Sequence, residues 1–388
     1  MSKLEKLLEG VEVEWKVLGD VIELSNIGVD KKSIENEKKV RLLNFVDVFK
    51  NQYITNETPT MVVTASERKI NDCSIKKGDV FITPSSEKID EIGFSAMAIQ
   101  DFDNAVYSYH IMRLRVIDND FLYPAYLNFL FSSSDIRKQI RLRAQGITRY
   151  GLTQPNWKKL QIPIPPLKIQ KEIVRILDSF TELTTELTTE LTARKKQYSY
   201  YREQLLTFED GEAEFKTLGE VATIGTGKHD TKDAIDDGKY TFYARGKKPL
   251  KLNTYDFEET AIITAGDGAG VGKVYHWVTG KYALHQRAYK IVPNSDVNAR
   301  FIYHYVVANF YSYIEKVSVS SSVTSLRKPM FLKFKIPIPS LKEQERIVNI
   351  LDKFDTLTTS ISEGLPKEIE LRKKQYEYYR EKLLSFPK

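Results

Sequence analysis

Arginine and glutamine recur beside tyrosine, histidine and lysine in two separate stretches of this chain. The first stretch ends in Gln145-Gly-Ile-Thr-Arg149-Tyr150 and follows a run that carries Arg137, Lys138, Arg141 and Arg143. The second contains Lys228-His229, then Arg245, Lys247 and Lys248, then His285-Gln-Arg287. Arginine and glutamine side chains form paired hydrogen bonds with guanine and adenine edges, while lysine holds phosphates. A solvated charged face is the better reading of any one of these clusters taken alone. Their occurrence in both stretches shifts the balance somewhat towards nucleic acid.

Other chemistry lacks its residues. Gly266-Asp-Gly-Ala-Gly-Val-Gly-Lys273 has the flavour of a phosphate loop, but Val274 stands where such a loop needs Ser or Thr, and the glycine spacing is wrong. A hairpin turn whose glycines, Gly268 and Gly270 among them, permit close backbone approach is the plainer reading, and that approach could be to DNA. The five histidines show no metal-ligand spacing, and Cys73 stands alone, so neither a metal site nor a disulfide framework is expected. No acid pair, dinucleotide fingerprint or base-methyltransferase tetrapeptide is visible. Net charge is +6 with a pI near 8.9, permissive for nucleic acid without being diagnostic. The opening MSKLEKLLEGVEVEW lacks an apolar signal region, and no run is long enough to span a membrane. A cytoplasmic protein is expected.

The elements that must position these residues are duplicated. IPIPPLKIQKEIVRILDSF from Ile162 returns as IPIPSLKEQERIVNILDKF from Ile336, and RKKQYSYYREQLLTF from Arg194 returns from Arg372. WKVLGDV at Trp15 matches FKTLGEV at Phe215. Each unit opens on this entry, runs through a variable region, and closes on the I-P-I-P exit and a long helix. Ile173, Leu177, Phe180, Leu187, Leu191, Tyr198 and Tyr201 fall on a coiled-coil seam, interrupted by Thr184 and Arg194. The second seam runs through Ile347, Leu351, Phe354, Ile361, Tyr376 and Tyr379, with a stutter at Leu365 and Ile369, and Gly364 and Pro366 predict a kink there. Each helix should span roughly 40 residues, about 60 Å, and the two should pair antiparallel about a pseudo-two-fold axis. Ser340 with Glu343 has the form of a capping box. Tyr200 and Tyr378, outside the seam, are candidates for partner docking or for ordinary intrachain packing.

Both variable regions read as mixed α/β. MVVTASE, DVFITPSSE and AVYSYHIMRLRVI are strand-like, and YLNFLFSSSDIRKQIRLRAQG has helical spacing. In the second region TAIITAGDGAGVGKVYHW reads as a hairpin, KYALHQRAYKIV as a strand and RFIYHYVVANFYSYIEKV as a helix.

The twofold layout of entry, variable region, I-P-I-P-x-L-x-x-Q exit and R-K-K-Q-Y-x-Y-Y-R-E helix resembles the specificity subunit of type I restriction-modification systems. The resemblance covers the whole chain and extends to Thr83–His110, which holds Ser85, Ser86 and Tyr109, and to Gly266–Val274. It implies an α/β (α+β) fold with two target-recognition domains, residues 1–166 and 209–339, separated by helices over 167–208 and 340–388. It implies double-stranded DNA as ligand, with two methyltransferase subunits and nuclease-translocase (restriction) subunits as partners, and no catalysis in this chain. S-adenosylmethionine, ATP and Mg would belong to those partners. Arg149, with Arg68, Arg141, Arg143 and Tyr150, is the candidate reader of one half-site; Arg245 and Arg287, with Lys228, His229, Lys247, Lys248 and His285, serve the other. Two rivals are a coiled-coil scaffold without DNA, which leaves two different inserts unexplained, and a self-contained enzyme, which lacks a cofactor motif.

Overall fold

The computed structural model describes residues 7–209, 211–317, 325–360 and 362–387. The chain divides into two compact units, residues 1–186 with 370–388, and residues 187–369.

In each unit the entry and exit motifs pair with each other. Glu14–Val17 lies antiparallel to Gln161–Ile164, with Trp15 opposite Pro163. Glu214–Thr217 repeats this against Lys335–Ile338, with Phe215 opposite Pro337. The prolines are tolerated because a two-stranded ribbon has only edge positions, where a missing N–H costs no ladder bond. Immediately after each ribbon the chain is tied again, by Leu18 N–H to Leu160 O and by Leu218 N–H to Phe334 O, both 2.7 Å. Leu18, Leu218, Trp157 and Phe331 are fully buried. The frame thus closes on itself from residues far apart in sequence.

The regions inside the two frames differ. The first carries a five-stranded sheet in the order Ile22–Ser25, Met112–Val116, Val80–Ile82, Ser95–Ala98, Tyr53–Ile54, and a four-stranded sheet in the order Met61–Ala65, Lys38–Leu43, Phe102–Tyr107, Ser74–Ile75. The basic stretch expected as one helix is two, Pro124–Leu130 and Ser134–Arg143, separated where Ser132 and Ser133 hydroxyls donate back to Phe129 and Leu130 carbonyls. The second region has one six-stranded sheet, in the order Ala222–Thr226, Ala288–Pro293, Phe257–Ala265, Tyr275–Leu284, Tyr240–Tyr243, Leu250–Leu252, followed by the helix Ala299–Val317. The glycine-rich segment is the expected hairpin connection, with Thr264 opposite Tyr275 across it.

The glutamine of each exit motif is a buried latch. Gln170 accepts a hydrogen bond from Tyr123 N–H (2.8 Å) and donates to Phe121 O (2.9 Å) and Pro165 O (2.7 Å). Gln344 accepts from Asn298 N–H (2.8 Å) and donates to Pro339 O (2.8 Å). Each therefore fastens the start of a long helix to the loop before a domain helix. Replacing Gln344 by Leu would orphan a buried donor and a buried acceptor, each worth about 1–3 kcal/mol. We expect the Gln344→Leu chain to lose roughly 2–4 kcal/mol in urea unfolding, and an unchanged midpoint would refute the latch.

The first long helix is continuous over Leu167–Leu206, 40 residues as expected. The second is not merely kinked but broken into Leu341–Thr359 and Gly364–Leu384. Gly364 adopts φ +78°, and a Cβ there would meet Thr356 O at 2.4 Å, so the break requires glycine. Ile361 lies outside the described residues. Ser340 caps its helix by accepting from Glu343 N–H (3.3 Å), but the reciprocal half of the capping box is missing because Arg346 takes both Glu343 oxygens, at 2.6 and 2.9 Å.

The seam does more than join helices. Ile173 and Leu177 are fully buried in the core of the first unit, which also holds Leu383 and Leu384 of the last helix. Ile347 and Leu351 are likewise sunk in the core of the second unit. Within the first unit Phe180 stacks on Tyr379 at 5.1 Å, and Tyr376 packs against the core. Within the second unit Tyr198 and Tyr201 stack on Phe354 at 5.9 and 5.6 Å. Early residues of the first helix thus meet late residues of the last one, and late residues meet early ones, the antiparallel order. Leu187 and Leu191 are only half-buried, whereas Tyr200 and Tyr378 are exposed.

The variable regions also reach the helices. Asp178 and Asp352 occupy the same place in the two repeats. Asp178 accepts from the Tyr53 hydroxyl at 2.6 Å. Asp352 instead meets Arg300 and His304, both at 2.7 Å. Burial opposes ionisation of Asp352, but His304 and Arg300 prevail and hold its carboxyl below the ordinary range.

Candidate nucleic-acid interface

In the first unit, Gln145 and Gly151 exchange both backbone hydrogen bonds at 2.9 Å, closing residues 146–150 into a short loop. Ile147 at its tip is 91% exposed. Tyr150-Gly151 pairs antiparallel with Ser85-Ser86. Arg149 donates from Nε to Ser85 Oγ (3.0 Å) and from Nη2 to Ser85 O (3.4 Å), which anchors an otherwise exposed guanidinium. Tyr109 lies against His110, ring centres 4.0 Å apart. Burial first, then the charges of Lys31 and Arg149, hold the His110 imidazole below its usual pKa. Arg149 is thus joined to Ser85 and Tyr109 to His110, and the His110 imidazole feels the charges of Arg149 and of Lys31, a residue the sequence had not marked.

The other first-unit candidates are engaged elsewhere. Ser86 is buried and donates to Glu91 Oε2 at 2.7 Å. Arg141 is held by Asp90 (2.7 Å), and Arg143 donates to Gln139 O (3.2 Å). Arg137, on the same helix, donates to the Ile92 and Asp90 carbonyls. Arg68 extends from the helix Glu67–Asp72 with Asp72 as its ion partner at 3.7 Å. The basic helix is therefore tied to its own domain through Arg137 and Arg141, although the Arg141 side chain stays 54% exposed.

The second unit gathers its candidates onto adjoining turns. A parallel bridge joins His229 to His285, and Gly266 N–H donates to Arg287 O at 2.8 Å. The turn Gly268–Gly270 passes so close to residue 245 that a Cβ on Gly270 would lie 2.5 Å from Arg245 O. Asp267, on this turn, receives Arg245 Nη1 on one carboxylate oxygen (3.0 Å) and Arg287 Nη1 on the other (3.1 Å). Partial burial pushes the Asp267 carboxyl up, but the two arginines outweigh it and hold it below the ordinary carboxylate range. Lys247 and Lys248 are exposed on the neighbouring turn. Lys273, the residue that invited comparison with a phosphate loop, lies over the Tyr311 ring at 5.4 Å.

The surroundings of this cluster are less basic than its sequence suggests. Lys228 and His229 both turn to Asp256, at 3.3 and 3.1 Å. His285 is buried; desolvation first, and then Arg245, hold its imidazole below the usual pKa. Its Nδ1 accepts from Arg287 N–H at 2.9 Å, so His285 sets the backbone that carries Arg287 and is not itself presented. The arginine pair, Lys247 and Lys248 face solvent, and so does Lys228, whose side chain stays 77% exposed beside Asp256.

Among the described residues no cluster of three or more His, Cys, Asp or Glu could hold a metal ion. No helix among them is long and apolar enough to cross a membrane.

The chain is similar to known proteins. The chain is 34% identical to the EcoR124I/EcoR124II type I restriction enzyme specificity subunit of Escherichia coli, over 100% of this chain and 98% of that one. It is 31% identical to a putative type I restriction enzyme specificity subunit of Haemophilus influenzae, over 99% and 98%. The fold is similar to that of the S subunit of a type I restriction-modification system from M. genitalium, with a TM-score of 0.64 at 16% identity and full coverage of both chains. The type I restriction modification DNA specificity domain matches twice, at residues 10–195 and 211–371, each match running from an entry motif into a long helix. The chain therefore belongs to the type I restriction-modification DNA specificity family.

Proposed function

We propose that this chain is the DNA-reading subunit of a type I restriction-modification complex and performs no catalysis itself. Each unit reads one half of a bipartite site, and an unread stretch lies between the halves. The observation that carries this reading is the repetition of one frame around two different contents. The entry ribbon, exit motif and buried glutamine recur at matching positions, whereas the sheets and their exposed polar clusters do not. Duplex DNA has a local two-fold axis, so a pseudo-symmetric chain can engage it twice in equivalent fashion. Different contents then make the two half-sites different.

The residues divide the work by position. Arg149, anchored on Ser85, is assigned to the first half-site together with Tyr109. Arg245 and Arg287 are assigned to the second, with Lys247 and Lys248 as phosphate contacts. The partners are two methyltransferase subunits and the nuclease-translocase subunits, and S-adenosylmethionine, ATP and Mg act there.

Methylome sequencing of cells with and without the chain reveals the site. Exchange of residues 22–161 for the equivalent region of a relative should alter one half-site and leave the other and the spacer intact. Simultaneous change of both halves would refute the modular assignment.

A further inference from the structure

Resting on that reading, we infer that Asp267 is a positioning residue that aims Arg245 and Arg287 at guanine in the second half-site. The carboxylate sits between the two guanidinium groups and binds Nη1 of each, at 3.0 and 3.1 Å. Asp267 is 19% exposed, while the Arg245 and Arg287 side chains are 41% and 63% exposed. The anchor is sheltered and the groups it anchors reach outward.

Such an anchor changes what an arginine can recognise. A free arginine side chain loses substantial rotamer entropy when it is fixed on a base. One held through Nη1 has already lost part of it and still offers Nε and Nη2 as neighbouring donors. Guanine presents two acceptors, O6 and N7, on its major-groove edge, whereas adenine pairs its N7 acceptor with an N6 donor. A two-donor edge therefore rewards guanine and penalises adenine. The shared carboxylate also reduces the charge of the pair from +2 to +1, which lowers its attraction for phosphate without affecting a neutral base. The backbone reinforces the arrangement. Gly270 packs on Arg245 O, Gly266 N–H binds Arg287 O, and His285 Nδ1 binds Arg287 N–H. Both arginines are thus held at the backbone and at the tip.

The test uses the complete methylation complex with the full chain and genomic DNA from a host lacking the system. After the unmodified chain has defined the motif, duplexes carrying each of the four bases at every second-half position are compared for methylation rate. Arg245→Ala, Arg287→Ala and Asp267→Asn should each reduce discrimination at a guanine position by about 5–150-fold, the range of a good bidentate pair. The first half-site should keep its discrimination. That base-selective loss separates positioning from a structural role, since partial unfolding slows methylation of every sequence alike. Uniform weakening of all duplexes by the arginine variants, or full guanine discrimination in Asp267→Asn, would overturn the inference. So would relaxation confined to the half-site that exchange of residues 22–161 controls. An unmodified complex that methylates no defined motif would remove the underlying DNA-reading function, and the inference with it.

Discussion

Deleting one TELT unit from the first long helix should leave both half-sites unchanged and shorten the unread spacer by one base pair. Residues 181–192 read TELT three times. Threonine is a mediocre helix former, so propensity gives no reason for the choice. The structure shows how the helix accommodates it. Thr181, Thr184, Thr185 and Thr192 hydroxyls donate to carbonyls four residues earlier, at 2.8–3.1 Å. A unit whose polar groups are satisfied within the helix can be gained or lost without orphaning a partner in either globular region. One unit contributes about 6 Å of rise and about 40° of rotation. A base pair advances DNA by about 3.4 Å and turns it by about 34–36°. Rotation agrees with one base pair, while rise lies nearer two. Rotation should decide, because a domain turned away from its groove cannot bind, whereas a few ångströms are absorbed by bending. Methylome sequencing of the deletion mutant reads the result directly, and an unchanged spacer or an altered half-site would refute it.

Leu351→Asp should abolish methylation at every site. Leu351 is fully excluded from water and belongs to the second unit's core, together with Ile347, Phe301 and Phe331. The substitution removes a buried aliphatic side chain, worth about 2–5 kcal/mol, and leaves a carboxylate without a partner in an apolar site. The combined cost is comparable to the whole stability of an ordinary domain, about 5–15 kcal/mol. Leu187→Asp makes the instructive contrast. The heptad gives both leucines the same standing, yet Leu187 is half-buried and its carboxylate could stay hydrated, so the effect should be milder. Thermal melting and methylation assays of the two variants check the order. A soluble Leu351→Asp chain with full methylation would place Leu351 outside any core.

Both predictions draw on features that were legible in the amino-acid order. The duplication, the entry and exit motifs and the helical seam are local patterns, repeated within the chain, and local periodicity is what a sequence states most directly. The hairpin at Gly266 was legible too, because its glycines and flanking apolar runs are adjacent. The repeated glutamine of the exit motif was visible, but its burial and its partners were not.

Tertiary structure decided who pairs with whom. A side chain's type gives its capacity for hydrogen bonds, while its partner depends on turns and register far along the chain. Arg149 and Ser85 are 64 residues apart, and Asp267 lies 22 and 20 residues from the arginines it joins. His285 looked like a ligand-facing group until burial claimed it, whereas Lys228 and Arg141 stay exposed but are partnered by Asp256 and Asp90. The second helix is broken at Gly364, whose left-handed backbone and close approach to the Thr356 and Leu357 carbonyls leave no room for a Cβ. Sequence by itself established the two-part reading frame of this protein. The folded chain decided which of its many cations share a carboxylate, because an ion partner brought close by the fold offsets a charge and orients it even where the side chain stays exposed.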